Sequence, residues 1–289
     1  MPLNSPQSNT TRGVVCMVLG STLLTTNDAI TKWLTQEYPV SQVWCLRTVF
    51  VLVLIILLAP RYGGYRALLP NRIPAQLLRA VLFFSTTLLI VTGLSLLPLA
   101  QMVAIVFGSP IFVAALAPIV LRERVDGVRW LVIGIGFVGV LFILRPDPTT
   151  VGAASIIALA AALSSALRDL VTRRISSREN SISILFCSSL LVVAIALPAA
   201  PWLGWVGVQP AGWALLFVNG VLNGAAHFLI IEALRFGEAS VVTSYRYSAL
   251  LWGAVLGFVI WGDVPDLWVV AGGVLIAGSG LYLLYQERR

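Results

Sequence analysis

Short polar links divide the sequence into ten apolar runs, each close to the ~20 residues that an α-helix needs to cross a bilayer. The composition agrees, because 58% of the residues are hydrophobic and 11% are charged, whereas a soluble domain carries about 25% charged residues. The run that begins at Val14 is too long for the core of a signal peptide, so we expect it to remain as the first span. We predict an all-α integral membrane protein with ten transmembrane helices, at residues 13–35, 40–59, 75–95, 98–121, 128–145, 151–172, 181–200, 211–234, 238–261 and 267–285.

Lys and Arg residues lie mainly on one side of these predicted spans. The side that holds both termini carries 15 of them, and the other side carries only Lys32 and Arg145. Arg47 and Arg246 fall inside spans. Because cytoplasmic loops are enriched in positive charge, we expect both termini in the cytoplasm. This distribution also accounts for the formal net charge of +7 without a nucleic-acid partner.

A degenerate internal repeat relates the two halves of the chain. The stretch around Asp28 has a counterpart around Asp169, 141 positions later. The ends of the two halves also match each other, at 121–144 and 261–284. Each half contains five predicted spans, and an odd number inserts the second copy from the opposite side of the membrane. We therefore predict an inverted repeat of two five-helix units, residues 1–146 and 147–289.

A family pattern follows the first two spans. Lys32 lies near the end of the first span, Pro39 in the following turn and Arg47 early in the second span. An acidic residue follows the fourth span, and the fifth span is rich in glycine: Glu123, Gly134, Gly136 and Gly139. With these residues the sequence resembles the EamA type of the drug/metabolite transporter superfamily, from about residue 12 to residue 285. Ser188 departs from the pattern because it occupies the place of Arg47 in the second half, so we expect no counterpart there to any pairing that Arg47 makes.

The resemblance implies a fold and a class of function. Family members have ten helices in an inverted repeat, around a central cavity walled mainly by helices 1, 3, 4, 6, 8 and 9. We therefore expect this chain to be a secondary transporter of the bacterial inner membrane that works by alternating access, and not an enzyme. Some family members export amino acids, and others carry S-adenosylmethionine, sugars or vitamins. Amino-acid export is therefore the first expectation, with S-adenosylmethionine, a nucleoside or a vitamin as the alternative cargo.

Charged residues inside the apolar runs are the first candidates for function, because charge is costly in lipid. Asp28 and Lys32 are four residues apart and share a helical face, and Arg47 lies at a similar depth. Asp169 and Arg173 repeat the same spacing in the sixth span. We predict ion pairs or gates at the outer and inner mouths of one pathway. Purely structural pairing is the alternative.

The eighth span carries a polar stripe of Asn219, Asn223 and His227 at four-residue intervals. Such a stripe faces either a neighbouring helix or a water-filled cavity. An imidazole titrates near neutral pH and could exchange protons, but a lone His is also a common hydrogen-bonded packing residue. His227 is the only His and no Cys pattern accompanies it, so we predict no metal site.

Arg246 in the ninth span is a candidate ligand for a carboxylate, because its guanidinium forms two parallel hydrogen bonds with that group. The alternatives are an ion pair with Glu232, Glu238 or Asp169, or a position at the headgroups. Further polar residues in the fourth and ninth spans complete the set. The predicted substrate-binding residues are Asn219, Asn223, His227, Arg246, Tyr247, Ser244, Gln101 and Ser109.

The sequence contains no P-loop, no cofactor motif and no nucleophile–base arrangement, so we expect no ATP motor and no cofactor. The rival classes are an intramembrane enzyme and a non-transporting scaffold. The expected partners are the lipid bilayer and a small-molecule substrate. A homodimer is a further possibility, since glycines of the tenth span could pack on a second copy or within one chain: Gly272, Gly273, Gly278 and Gly280.

Overall fold

The computed structural model describes residues 6–106, 108–121, 127–144, 152–236, 242–243, 245–264 and 266–287. These residues form α-helices, short 3-10 turns and connecting loops, without a strand. The all-α prediction is therefore confirmed for this part of the chain. The α-helices are α1 (Pro6–Leu34), α2 (Val40–Leu58), α3 (Ile73–Leu96), α4 (Leu99–Val106), α5 (Ser109–Leu121), α6 (Gly127–Leu144), α7 (Ala153–Ile175), α8 (Ser181–Ala199), α9 (Pro210–Phe236), α10 (Ser248–Trp261) and α11 (Leu267–Glu287).

Every predicted span coincides with helix in the described residues, but the fourth and the ninth are interrupted. The fourth span consists of α4 and α5, which are separated next to Gly108. In the ninth span a 3-10 turn, Tyr245–Tyr247, precedes α10. Interrupted helices at matching places in two halves are a recurrent feature of secondary transporters, where they approach the substrate.

Six of the described helices are long and apolar enough to cross a membrane by themselves: α1, α2, α3, α7, α8 and α9. Shorter apolar helices lie in α5, α6, α10 and α11. Large apolar side chains such as Leu57, Ile119 and Val274 are exposed on the outer surface. This surface suits lipid rather than water, because an exposed apolar shell of this extent is unfavourable in a soluble protein.

The helices pack in pairs that repeat between the two halves. Helix α1 packs along α9, and α7 packs along α3. Helix α2 also contacts α9, and α8 contacts α3. Helix α5 lies on α7 as α10 lies on α1, while α6 packs against α11. Exchanging the helices of one half with those of the other therefore maps each of these contacts onto its counterpart.

Side chains that bind loop backbone join the helices at both ends of the bundle. At one end, the hydroxyl of Tyr38 accepts a hydrogen bond from the backbone N–H of Gln209, at 3.3 Å. At the other end, the Glu179 carboxylate accepts hydrogen bonds from the backbone N–H of Asn71 at 3.1 Å and of Arg72 at 2.7 Å. Tyr38 and Glu179 are 141 positions apart, the same interval that relates Asp28 to Asp169.

Two helices approach closely where α9 crosses α2. A Cβ atom added to Gly220 would lie 2.6 Å from Cβ of Phe50 and 2.8 Å from the backbone oxygen of Arg47. By contrast, Gly134 of α6 has no such atom within 4 Å. Gly273 and Gly278 of α11 are equally open, and the homodimer that they suggested stays a prediction.

The contact at Gly220 gives a test of the packing. We expect Gly220→Ala to lower the thermal stability of the purified protein, because forcing extra volume into a packed contact costs about 1–3 kcal/mol. Gly134→Ala is the matched control, since it changes helix propensity equally but meets open space. Melting of both variants in the same detergent is the measurement. Equal melting temperatures for the two variants would contradict the close approach.

Candidate functional site

A cavity lies at the centre of the helices, with about 630 Å³ of empty volume including the part open to solvent. Helices α1, α3, α4, α7 and α9 and the 3-10 turn before α10 contribute to its wall, as the family resemblance implies. Helix α2 contributes as well, through Arg47. The polar side chains that line the cavity are Thr25, Asp28, Arg47, Thr87, Ser165, Arg168, Asn223, His227 and Arg246.

Asp169 anchors two of the cavity's arginines. Its Oδ1 accepts hydrogen bonds from Nε and Nη2 of Arg168, at 3.2 and 3.1 Å. Its Oδ2 lies 2.7 Å from Nη1 of Arg246 in a second ion pair. All three side chains are buried. Of the alternatives for Arg246, the structure therefore has the ion pair with Asp169, and two guanidinium charges share one carboxylate.

Arg246 keeps hydrogen-bonding capacity after this pairing. It is 4% exposed, and its Nε and Nη2 have no hydrogen-bond partner in the described part of the chain. A buried guanidinium N–H without a partner is costly. Since Arg246 lines the cavity, a ligand there with an anionic oxygen would satisfy these donors.

Asp28 and Arg47 both line the cavity, but the ion pair predicted between them is not formed within 4.0 Å. Arg47 instead donates from Nη1 to Oγ1 of Thr31, at 2.9 Å. Oδ1 of Asp28 accepts from Nδ2 of Asn27, at 3.1 Å. Both charges thus remain available to a bound molecule.

Lys32 and Arg173 do not join their predicted carboxylate partners. Nζ of Lys32 donates to the backbone oxygen of Leu97 at the end of α3, at 2.8 Å. Nη1 of Arg173 donates to the backbone oxygen of Leu234 in the last turn of α9, at 3.1 Å. The last carbonyls of a helix have no intrahelical partner, which explains why these cations bind there. The two positions are equivalent as predicted, but each binds a helix end.

Arg79 and Arg168 are among the 15 basic residues predicted to lie on the side of the termini, but they are not loop charges, because both are buried within α3 and α7. Nε of Arg79 donates to Oγ1 of Thr172, at 3.2 Å, and Nη1 donates to Oγ of Ser188. Their positions in the sequence could have indicated that both arginines are buried, since Arg79 lies inside an apolar run and Arg168 immediately precedes Asp169.

Ser188 occupies the place of Arg47 in the second half, as the sequence indicates, but the hydrogen bond between Arg47 and Thr31 has an equivalent at Thr172. Thr31 and Thr172 are 141 positions apart, and each binds one arginine. In the first half that arginine is Arg47 of α2, and Asn219 of α9 also binds Thr31, at 3.1 Å. The arginine that binds Thr172 of the second half is Arg79 of α3, which itself belongs to the first half of the chain. Both threonines therefore bind a guanidinium group. The one at Thr172 comes from α3 and not from α8, and Ser188, which stands on α8 in the place of Arg47, binds the same arginine.

The polar stripe of α9 divides between the two predicted environments. Asn219 is fully buried and binds α1, with Nδ2 donating to the backbone oxygen of Asn27 at 2.8 Å. Asn223 and His227 line the cavity. The His227 ring also packs edge-on against Phe83, with centroids 4.9 Å apart. Asn219 thus joins helices, whereas the other two face the candidate site.

The remaining predicted site residues belong to the interrupted spans. Ser109 begins α5, is fully buried, and its Oγ has no hydrogen-bond partner among the described residues. Gln101 lies in α4 and Tyr247 in the 3-10 turn. Their side chains, and Ser244 as a whole, lie outside what the structure describes.

A membrane-embedded helical bundle around a charged cavity is the architecture of a carrier for small molecules. The sequence profile of the EamA-like transporter family matches the chain twice, over residues 11–145 and 152–285. The chain belongs to this family, which confirms the resemblance drawn from the sequence. It is a membrane protein of a transporter family.

Curated relatives of this chain carry different cargoes. An S-adenosylmethionine uptake transporter of Rickettsia prowazekii is 27% identical over 96% of this chain and 94% of its own length. A pseudopaline exporter of Pseudomonas aeruginosa is 27% identical over 91% of this chain and 93% of its own length. A riboflavin transporter of Rhizobium johnstonii is 26% identical over 96% and 92%. All three are transporters, but they agree neither in cargo nor in direction.

One solved crystal structure superposes on the chain with a TM-score of 0.74. It is 19% identical in sequence, and the match covers 98% of this chain and 99% of that one. At this identity the likeness shows the fold alone.

The equivalence between the hydrogen bonds at Thr31 and at Thr172 can be tested by exchanging the residues at positions 79 and 188. We expect Arg79→Asn to destabilise the protein, because buried hydrogen-bonding groups left without a partner cost about 1–3 kcal/mol. Ser188→Arg alone adds a second buried cation and should also destabilise. The double variant, Arg79→Asn with Ser188→Arg, has an arginine on α8 and an asparagine on α3. This matches the arrangement around Thr31, with Arg47 on α2 and Asn219 on α9, so the double variant should melt at a higher temperature than either single variant. A double variant no more stable than the worse single one would contradict the equivalence.

The division of the α9 stripe gives a second test, in a variant that lacks the three native cysteines, Cys16, Cys45 and Cys187. A membrane-impermeant thiol reagent should modify Asn223→Cys, because this position lines the cavity. Asn219→Cys should stay unmodified because it is sealed between α1 and α9. Equal labelling at both positions would show that the stripe does not divide in this way.

Proposed function

We propose that the protein is a secondary transporter that exports amino acids across the bacterial inner membrane by alternating access. In this proposal residues 1–146 and 147–289 are inverted five-helix halves, both termini are cytoplasmic, and the central cavity opens to each side in turn. The paired packing of the described helices and the double match of the family profile support this arrangement.

The observation that carries the cargo proposal is the charge of the cavity. Arg246 has buried donors that no described residue satisfies. Arg47 and Asp28 line the same space without an ion pair within 4.0 Å between them. An α-amino acid offers a carboxylate and an ammonium group at short separation. In our proposal Arg246 and Arg47 bind the carboxylate and Asp28 binds the ammonium group.

Polar side chains on the cavity wall complete the proposed site. Asn223 and His227 would contact the variable part of the substrate, and Ser109, Gln101, Ser244 and Tyr247 stay candidates from the interrupted spans. Asp169 holds Arg246 in place, so we propose that this pair couples cargo to the movement between the halves.

S-adenosylmethionine is the second candidate cargo, because it also ends in an α-amino-acid group and because the Rickettsia prowazekii relative is named for its uptake. The cavity's own charges weigh against it. Three arginines and one aspartate line the space, with Asp169 beside them, and a cationic sulfonium adds to the positive excess.

The test is uptake of labelled amino acids into proteoliposomes, with and without a pH gradient. We expect an unlabelled substrate to compete and its methyl ester not to compete, because esterification removes the anionic oxygen that the guanidinium groups bind. Labelled S-adenosylmethionine is measured in parallel. Transport of S-adenosylmethionine with no amino-acid flux would favour the second candidate, and competition by the ester would exclude the carboxylate contact.

Substitutions at the proposed ligands should weaken transport while the protein still inserts and folds. Arg47→Ala, Asp28→Asn and Arg246→Gln are each expected to lower apparent affinity roughly ten- to hundredfold, because a hydrogen bond to a charged group contributes about 1.5–3 kcal/mol. Arg61→Gln at an exposed position is the control. Unchanged flux in the Asp28 and Arg47 variants would remove their proposed role.

A further inference from the structure

A second space opens on the side of the bundle, away from the central cavity. It is an apolar groove between α2, α8 and α9 with about 740 Å³ of empty volume including its open part. Val51, Leu58 and Ile182 form part of its walls. On the α9 side, the small residues Gly224 and Ala225 lie between Val221 and Phe228 and leave room that larger side chains would fill. None of its lining residues belongs to the central cavity.

A polar pocket continues this groove toward the end of the bundle where α1 begins and α9 ends. Tyr62 and Phe228 line both spaces. Their rings meet edge to face, with centroids 5.6 Å apart, and mark the boundary between the apolar and polar parts. Such a pair is typical of a membrane–water interface, where aromatic rings combine an apolar body with a polar edge.

The polar pocket carries an excess of positive charge. Arg12 and Arg235 line it, together with one acidic residue, Glu232. The Arg12 guanidinium lies 4.3 Å from the centroid of the Phe236 ring. Nη1 of Arg235 lies 3.5 Å from Oε1 of Glu232, so Glu232 offsets one of the two cations. One positive charge is therefore left over at the mouth of the pocket.

We propose that the groove and the pocket together bind one anionic phospholipid. An acyl chain fills the apolar groove, because water would gain no hydrogen bonds there and a bilayer supplies hydrocarbon along its whole depth. The phosphate then lies beyond Tyr62 and Phe228, beside Arg12 and Arg235. Charge complementarity favours an anionic over a zwitterionic headgroup.

The position in the membrane agrees with this ligand. The same end of the bundle carries Arg61, Arg66 and Arg72 in the link between α2 and α3. Positive loops face the cytoplasm, where the leaflet surface is negative. Only this choice of leaflet depends on the proposed orientation. The lipid site itself requires no transport activity.

The experiment is native mass spectrometry of the purified full chain after incubation with equal amounts of phosphatidylglycerol and phosphatidylcholine. We expect preferential retention of phosphatidylglycerol. Arg12→Gln combined with Arg235→Gln should bring the ratio of the two bound lipids to parity. Ala225→Leu, which fills the groove from its exposed edge, should reduce the retention of both lipids. Gly224→Leu is a second groove variant, for use if the first does not fold.

Arg61→Gln is the matched control, since it removes an arginine at the same end of the bundle but outside the pocket. It should leave the preference unchanged. Equal retention of both lipids by the unaltered protein would overturn the proposal, as would full retention in folded groove variants. Displacement of phosphatidylglycerol by inorganic phosphate alone would show a simple anion site. Because the readout is lipid mass, a failure here leaves the transport proposal intact.

Discussion

The structure depends on how a helical bundle in lipid stabilises buried charge. Asp169 lies between Arg168, its neighbour in α7, and Arg246 of the 3-10 turn before α10. Removing a charge from water costs several kcal/mol unless a partner and hydrogen bonds offset it. One carboxylate between two guanidinium groups offsets only part of that cost. Arg168 and Arg246 line the cavity, so the charge that is only partly offset inside the bundle is also the charge that the proposed function assigns to an anionic ligand.

The architecture could be predicted from the sequence because lipid constrains every span in the same way. Runs of about 20 apolar residues must form helices, since no water is present to satisfy a free backbone. Asp28, Arg47, His227 and Arg246 could be selected for the same reason, and all of them line the cavity. A polar residue on an otherwise apolar helix is a signal that needs no knowledge of its neighbours.

The partners of these residues could not be predicted, because pairing depends on how helices rotate and cross. Spacing along one helix suggested Asp28 with Lys32 and Asp169 with Arg173. In the structure both cations bind the carbonyl ends of neighbouring helices, a competing acceptor that sequence spacing does not reveal. Arg79 and Arg168 were missed because the positive-inside rule treats every arginine near a span end as a loop charge.

The hydrogen bonds of Glu179 restrict how the neighbouring helices can move relative to one another. Its carboxylate holds the start of α3 through Arg72, and its backbone oxygen accepts a hydrogen bond from Arg235 at the end of α9. Since Glu179 itself precedes α8, three helices of both halves are tied at one point. In the alternating access proposed above, opening the central cavity on that side would either break these hydrogen bonds or move the three helices together.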